Sequence, residues 1–206
     1  GNANRWYQKY HKSKRAQSIL REQIALCEKE IAYFEAMETQ LSQAGVQDAI
    51  EIREELVKQG YLRAQKSRIR KKKKQDLPHY ETFLFDDYRI YVGKNNLQND
   101  YVTWKLARKK DTWLHAKDLH GAHVILTLEQ PNEAALRTAA MLAAWYSIGR
   151  YSSSVPINYC QQRQLKKIPG NKGSFVSLTT YKTIYIDPDA AVIQRLLDEH
   201  RENKRK

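Results

Sequence analysis

The stretch from Ile90 to Trp104, IYVGKNNLQNDYVTW, is the part of the sequence from which the fold can be worked outward. It opens with a short apolar run, typical of a strand, that Gly93 interrupts. A dense polar group, Lys94–Asn96, comes next, and the apolar spacing that follows predicts an amphipathic helix over Leu97–Ala107. Loops between rigid elements often carry binding groups. The pattern therefore predicts a functional loop where a strand meets a helix.

The segments around this loop predict an α+β fold. Strands are predicted at Glu81–Phe85, Arg89–Val92, Thr112–Ala116, His123–Leu128, Val155–Tyr159, Gln164–Ile168, Phe175–Leu178 and Thr183–Ile186. Helices are predicted at Pro131–Arg150, with the proline in its first turn, and from Pro188 to Asp198. Short connections between the strands indicate a mixed or antiparallel sheet, and we expect the helices to pack on one face of it.

The N-terminal third predicts a long helical hairpin. Residues 5–43 contain neither Pro nor Gly, and an apolar seam recurs at alternating steps of four and three residues. The seam consists of Leu20, Ile24, Cys27, Ile31, Phe34 and Leu41. We expect Gly45 to end this helix in the left-handed conformation and a second helix to begin near Asp48. The predicted organisation is an antiparallel coiled-coil hairpin over 1–76, followed by a second domain over 77–206.

The charge balance indicates a polyanionic partner. The chain carries 36 Lys and Arg against 23 Asp and Glu, a net charge of +13. Nucleic acid is the commonest partner of such a surface, and an incidental basic surface is the alternative. In the tract Arg63–Lys74, eight of twelve residues are basic. Contact with an RNA backbone would neutralise them, whereas a solvated helix end needs fewer than four consecutive lysines.

The candidate RNA-contacting residues share positive charge, amide groups or ring surfaces, which together suit looped or single-stranded RNA. They are Lys94, Asn95, Asn96, Asn99, Lys105, Trp113, His115, Lys117, Lys166, Lys167 and Lys172, with Arg68, Arg70, Lys71, Lys72, Lys73 and Lys74 of the basic tract. Structural alternatives stay open. Trp113 also suits a hydrophobic core, Asn95 and Asn96 also suit helix capping, and the lysines of the loop from Lys166 to Gly173 also suit an exposed turn.

Enzymatic and metal-binding classes find no support in the residue pattern. The glycines are scattered, and the segment Gly170–Gly173 lacks the length of a phosphate-binding loop. No serine nucleophile elbow occurs. His115, His120 and His123 are the conceivable metal ligands, but His115 and His123 lie on predicted strands near no cysteine and no zinc-binding helix pattern. Part-buried, hydrogen-bonded histidines are the alternative for these two. We expect no catalytic residue, no metal and no cofactor.

Cysteine use and hydropathy indicate the compartment. Cys27 and Cys160 have no metal-type spacing, and free thiols in a reducing cytoplasm are expected, with a disulfide as the alternative. No run of about 18 apolar residues predicts a membrane span. The first residues show no signal-peptide pattern, and the chain opens with Gly, which is expected of a fragment.

Several ordered segments resemble a known family. They are Asn2–Tyr10, Ile52–Leu56, Ile90–Lys105, Asp111–Lys117, Gly121–Val124, Ser152–Pro156 and Lys182–Asp189. Together they resemble the NFACT-R domain and its preceding coiled coil, as found in the family of RqcH, NEMF and the bacterial fibronectin-binding proteins. The resemblance covers nearly the whole chain.

This resemblance implies a ribosome-associated quality-control factor in the cytoplasm. Its implied partners are the large ribosomal subunit obstructed by peptidyl-tRNA, rRNA and tRNA. Full-length members recruit alanyl-tRNA for template-free alanine tailing, so the implied role of this piece is RNA binding. The competing hypothesis is an adhesin that binds fibronectin at the surface of a Gram-positive bacterium.

Overall fold

A computed structural model describes residues 1–64 and 77–203 of the chain. The chain divides into two compact units, Gly1–Glu35 and a second unit that begins at Ala36. Arg68, Arg70 and Lys71–Lys74 of the basic tract lie outside the described residues. The second helix, predicted to continue towards residue 74, ends at Lys58, and residues 59–64 are not helical. The domain boundary predicted at residues 76 and 77 stays a prediction.

The first helix, α1 (Asn2–Ser42), is unbroken, as the absence of Pro and Gly predicts. Its predicted apolar seam is not buried: Leu20 is 55% exposed and Ile31 is 57% exposed. The expectation that the seam forms the core of a hairpin is therefore wrong for the described residues. The second helix, α2 (Val46–Lys58), has only 13 residues against 41 in α1, so it is too short to cover most of the seam. Near the turn, α1 buries Tyr33 and Met37 instead of Phe34 and Leu41.

Two glycines delimit α2, and their roles differ from the prediction. Gly45 has φ −76°, so it is not left-handed; it is the N-cap of α2, and its N–H donates to Oδ2 of Asp48 at 3.0 Å. The left-handed glycine is Gly60, at φ 84°, just after α2. There the N–H groups of Gly60 and Tyr61 donate to the carbonyls of Val57 and Leu56, which forms a Schellman motif.

A six-stranded sheet forms the centre of the second unit, and all its strand pairs are antiparallel. The strands of the unit are β1 (Glu81–Leu84), β2 (Arg89–Gly93), β3 (Thr112–Ala116), β4 (His123–Leu126), β5 (Val155–Gln161), β6 (Leu165–Lys167), β7 (Val176–Leu178) and β8 (Lys182–Ile186). The sheet order is β1-β2-β4-β3-β5-β8, and β6 and β7 form a separate hairpin. The predicted α+β class is confirmed.

Both faces of the sheet are covered. On one face lie α4 (Glu133–Trp145) and α5 (Ala190–Asn203), whose side chains share an apolar core with Leu114 and Val124. On the other face, Trp113 and Ile125 pack with residues of a short helix and of the β6–β7 hairpin. The prediction that helices lie on one face is therefore wrong. Successive strand residues point to opposite faces, and here both sets are apolar and need cover.

The helix of the second face is α3 (Asn96–Tyr101), which continues into a π-helical turn over Val102–Leu106. The N–H of Ala107 donates to the carbonyl of Val102 at 2.9 Å, the spacing that defines a π-helix. This run, Asn96–Leu106, confirms the predicted helix over Leu97–Ala107 within one residue at each end. In α4 the cap is Asn132, whose Oδ1 accepts from Ala135 N, so the predicted place of Pro131 inside the first turn is wrong.

Small side chains set the approach of α4 to the sheet. Ala139, Ala140 and Ala143 are fully buried in the core of the first face. Interiors are close-packed, so a larger side chain here has no space to fill.

We predict that Ala139→Leu lowers the free energy of unfolding by about 1–3 kcal/mol through overpacking. The matched control is Ala134→Leu, the same change at an exposed position of the same helix, which should stay within about 0.5 kcal/mol. Urea unfolding of both variants measures the difference. Equal stabilities for the two variants would contradict this packing.

Candidate nucleic-acid interface

The polar loop (Lys94–Asn99) lies inside the fold rather than on its surface. Asn95 and Asn99 are each 1% exposed. Asn95 caps α3, because its Oδ1 accepts the N–H of Gln98 at 2.9 Å. Its Nδ2 donates to Oε2 of Glu51 at 2.8 Å. The capping alternative for Asn95 is thus observed, and its second hydrogen bond reaches a different helix.

Three acidic residues of α2 receive the loop, and we call them the carboxylate face (Asp48, Glu51 and Glu55). Their spacing of three and four residues puts them on one side of the helix. Gln98 Nε2 donates to Oδ1 of Asp48 and Oε2 of Glu51, both at 2.7 Å. Asn96 Nδ2 donates to Oε1 of Glu55 at 3.0 Å. The side-chain amides of Asn95, Asn96 and Gln98 therefore each bind a carboxylate some 40 to 50 positions earlier.

Lys94 closes the same network. Its Nζ lies 2.8 Å from Oδ2 of Asp48 and 3.3 Å from Oε1 of Glu81. Burial lowers the pKa of Lys94, but the hydrogen bond and charge of Asp48 and the charge of Glu81 outweigh burial, so its pKa is raised. Lys94 is therefore charged at neutral pH and is held by carboxylates.

The far side of the loop binds other parts of the second unit. Oδ1 of Asn96 accepts from Nε2 of Gln40 at 3.0 Å and from Ser174. Oδ1 of Asn99 accepts the backbone N–H of His123 at 2.9 Å. Gly93 precedes the loop because an added Cβ would lie 2.6 Å from the N atom of Asn99.

Four predicted RNA-contacting residues, Lys94, Asn95, Asn96 and Asn99, are thus engaged in internal contacts. They cannot reach RNA unless this packing opens. Sequence reasoning missed their partners Gln40, Asp48, Glu51, Glu55 and Gln98. The acidic spacing along α2 was the available signal, because three carboxylates on one helix face require cationic or amide partners when they are buried.

The remaining described candidates differ in exposure. Trp113 is 1% exposed and belongs to the core of the second sheet face, so its ring is enclosed. Lys105, Lys166, Lys167 and Lys172 are exposed. Lys167 Nζ lies 3.0 Å from Oδ2 of Asp100, and Lys172 Nζ contacts the hydroxyl and ring of Tyr61. The exposed lysines lie on the π-helical turn and on the β6–β7 hairpin, which cover the same sheet face.

His115 and Lys117 line a cleft of about 340 Å³, which we call the histidine cleft. Its other polar lining residues come from distant segments: Gln40, Asn96, Asp118, His120, His123, Asn158 and Ser174. Burial lowers the pKa of His115 to about 4, against a smaller opposing effect of hydrogen bonds to backbone groups of Gly121 and Ala116. Burial and the neighbouring His115 hold the pKa of His123 well below its usual value. Both rings are neutral at physiological pH.

Three further features concern metal binding, membrane crossing and the cysteines. In the described residues, no cluster of three or more His, Cys, Asp or Glu side chains is arranged to hold a metal ion. Across 1–64 and 77–203, none of the helices combines the length and apolar character that crossing a bilayer requires. Cys27 and Cys160 are both free, and burial raises the pKa of Cys160 to about 11.

Comparison with known proteins assigns the two parts of the chain. Residues 1–75 match the NFACT N-terminal and middle domains, and residues 79–178 match the NFACT protein RNA binding domain. A structure of the C-terminal part of the fibronectin/fibrinogen-binding protein from Streptococcus suis superposes with a TM-score of 0.84 at 37% identity, covering 94% of this chain and 78% of that one. The chain belongs to the NFACT family.

Two curated NFACT relatives are similar over nearly all of this chain. The Rqc2 homolog RqcH of Bacillus subtilis (strain 168) is 41% identical over 95% of it, and that of Streptococcus pneumoniae serotype 2 (strain D39) is 41% identical over 93%. The matches cover 34% and 35% of those proteins. The chain therefore spans about a third of the length of these relatives.

We predict that Glu51→Gln lowers the free energy of unfolding by about 2–4 kcal/mol, because charge-assisted bonds are lost and an amide donor meets other donors. Besides Asn95 and Gln98, Glu51 also accepts the backbone N–H of His79 at 2.8 Å. Glu54→Gln is the matched control: the same change at an exposed position of α2 should stay within about 0.5 kcal/mol. Chemical denaturation of both variants tests the carboxylate face, and a stability of Glu51→Gln equal to the control would refute it.

We also predict a pH dependence from His115. Its folded pKa of about 4 lies below that of the unfolded chain, so between these values the unfolded state binds more protons and stability falls as pH falls. Between about pH 7 and pH 4.5, His115 should contribute a loss on the order of 2 kcal/mol. The free energy of unfolding of His115→Gln, measured at both pH values, should therefore fall by about 2 kcal/mol less than that of the unaltered chain. If the free energy of unfolding falls equally in both proteins, the lowered pKa of His115 is contradicted.

Proposed function

We propose that this chain binds RNA and that, within a longer protein, it serves ribosome-associated quality control. The match of residues 79–178 to an RNA binding domain carries the proposal. The relatives named RqcH as Rqc2 homologs support the ribosomal setting. The net charge of +13 supports a polyanionic partner independently of any relative.

The surface for this contact consists of the exposed lysines of the second sheet face. Lys166, Lys167 and Lys172 lie on the β6–β7 hairpin, and Lys105 lies on the neighbouring π-helical turn. The surface pair of Lys167 with Asp100 is exposed on both sides and contributes little to stability, so phosphates can compete for that lysine. Lysines of this kind bind phosphates as point charges and release counterions.

The finer role is proposed for the full-length protein. There, the chain binds rRNA and tRNA on large ribosomal subunits obstructed by peptidyl-tRNA, in the cytoplasm, while alanyl-tRNA recruitment and alanine tailing need the part of the protein outside this chain. The carboxylate face contributes by fixing α2 to the polar loop, and Asn96 of that loop also binds Ser174 in the β6–β7 hairpin. Displacement of the lysine surface would then be transmitted to α2 through buried hydrogen bonds.

Fibronectin binding is the alternative function. It enters the description of the Streptococcus suis neighbour, and the described residues of this chain add no observation in its favour. Binding to immobilised fibronectin is therefore measured beside binding to ribosomal subunits.

The experiment is co-sedimentation of the chain with large ribosomal subunits, with and without peptidyl-tRNA, at two salt concentrations. We predict salt-sensitive binding that favours the tRNA-bound subunit. Changing Lys166, Lys167 and Lys172 to Ser should weaken the binding. It should also flatten the dependence of log affinity on log salt concentration by the equivalent of about 2–3 lost phosphate contacts.

The control changes three exposed lysines elsewhere, Lys109, Lys110 and Lys182, to Ser, with the same loss of charge. Their slope should stay close to that of the unaltered chain. Equal slopes for the two triple variants would remove the β6–β7 hairpin from the interface. Failure to bind subunits or RNA at low salt, together with binding to immobilised fibronectin, would favour the adhesin instead.

A further inference from the structure

We propose that the histidine cleft binds one unstacked nucleobase of RNA. This inference rests on the proposed RNA-binding function and names the part of the ligand that the lysine surface cannot recognise. The cleft lies on the same sheet face as the exposed lysines, and β7 of the lysine-bearing hairpin supplies Val176 and Leu178 to its lining.

The size and position of the cleft suit a small planar group. Its volume of about 340 Å³ falls at the lower end of the range for small-ligand pockets, roughly 300–1,000 Å³. Its walls come from β3, the middle of β5, the segment 118–121 and the β6–β7 hairpin, with Gln40 of α1 at one side. Several of these elements are held by the polar loop, because Asn96 binds both Gln40 and Ser174. The walls are therefore fixed before a ligand arrives.

The interior offers neutral polar groups rather than charge. His115 and His123 are neutral at physiological pH. The His115 ring hydrogen-bonds backbone groups of Gly121 and Ala116, and Nδ1 of His123 pairs with Thr103, which leaves Nε2 of His123 as the ring nitrogen without an assigned partner among the described residues. Apart from histidines, the only ionisable side chains among the described lining residues are Lys117 and Asp118. A phosphate or carboxylate would find no buried cation here. The interior therefore selects an uncharged group that carries both donors and acceptors.

Asn158 adds a directed amide. The hydroxyl of Thr183 donates to its Oδ1 at 2.8 Å, which orients the amide so that Nδ2 is the remaining donor group. One ring nitrogen of His123 is fixed in the same way by Thr103, at 2.8 Å. Nucleobases are recognised through donors and acceptors along one edge, and fixed groups of this kind can read them.

Ring surfaces complete the match. The half-buried ring of Phe175 lines the cleft near His120, and the His115 ring is backed on one face by the enclosed Trp113, with centroids 5.6 Å apart and planes 15° apart. Stacking of a base on such rings contributes about 1–3 kcal/mol. Lys117, on the lining, places a positive charge where the phosphate attached to that base can lie. Edge recognition, stacking and one nearby cation together point to a nucleotide.

The test is titration of the chain with AMP, GMP, CMP and UMP, with ribose 5-phosphate as the ligand that lacks a base. NMR shifts of the His115 and His123 ring protons report binding. At least one nucleotide should bind saturably, and ribose 5-phosphate should not move these signals. Phe175→Ala should weaken binding by about fivefold or more. Phe85→Ala, another half-buried phenylalanine outside the cleft, should leave the affinity unchanged.

The outcomes separate this inference from the proposed function. Binding of none of the four nucleotides, or equal binding of ribose 5-phosphate, would overturn the nucleobase site. Salt-sensitive RNA binding together with that result would leave the proposed function standing. Nucleotide binding in the cleft without RNA or subunit binding would support the site and overturn the proposed function. The denaturation midpoint of Phe175→Ala shows whether that variant still folds. His115→Gln is a second variant of the cleft, and the same loss of affinity is expected of it.

Discussion

The network between the carboxylate face of α2 and the polar loop is the constraint on which the second unit depends. Asp48 and Glu51 are buried, and buried carboxylates are strongly unfavourable unless they are paired and hydrogen-bonded. Lys94 supplies the charge, and amide groups of the loop supply the remaining donors. Removing one partner leaves another uncompensated inside the fold. The network therefore holds α2, β2 and α3 in one arrangement.

This constraint separates positioning from ligand binding. The polar side chains of the loop, Lys94, Asn95, Asn96 and Asn99, are engaged in contacts inside the fold. Among the described candidates, the exposed lysines of the β6–β7 hairpin, Lys105 and the neutral polar lining of the histidine cleft remain accessible to a partner. Asn96 and Asn99 connect the two systems, because they bind Ser174 in the cleft and the backbone of His123. A rigid interior loop thus sets the geometry of a surface that can contact RNA.

Local sequence patterns were sufficient for most elements, and tertiary partners were not readable from them. The absence of Pro and Gly predicted α1, and the alanine-rich spacing predicted α4. Gly45 was misassigned because a helix end and a helix start share the same short connection. The polar loop was interpreted as a surface because its partners on α2 lie far away in sequence. No local pattern pairs Asn95 with Glu51.

The seam of α1 shows the same limit. Its heptad spacing predicted burial, yet α2 is too short to cover most of it, and near the turn α1 buries Tyr33 and Met37 rather than Phe34 and Leu41. Spacing shows that a helix has an apolar side, but what covers that side depends on the rest of the chain. For the sheet, the pattern predicted the strands correctly. The need for packing on both faces comes from Trp113 and Ile125, because helices on one face alone would leave these two side chains exposed.

Amide hydrogen exchange of residues 93–99, measured with and without single-stranded RNA, tests the central claim most directly. If the polar loop is a structural interlock, its amides exchange as slowly as those of the central strand β4 in the free protein, and RNA leaves their rates unchanged. If the loop is instead a binding surface, these amides exchange rapidly in the free protein and become protected only when RNA is added. That second result would contradict the account given for Lys94, Asn95, Asn96 and Asn99.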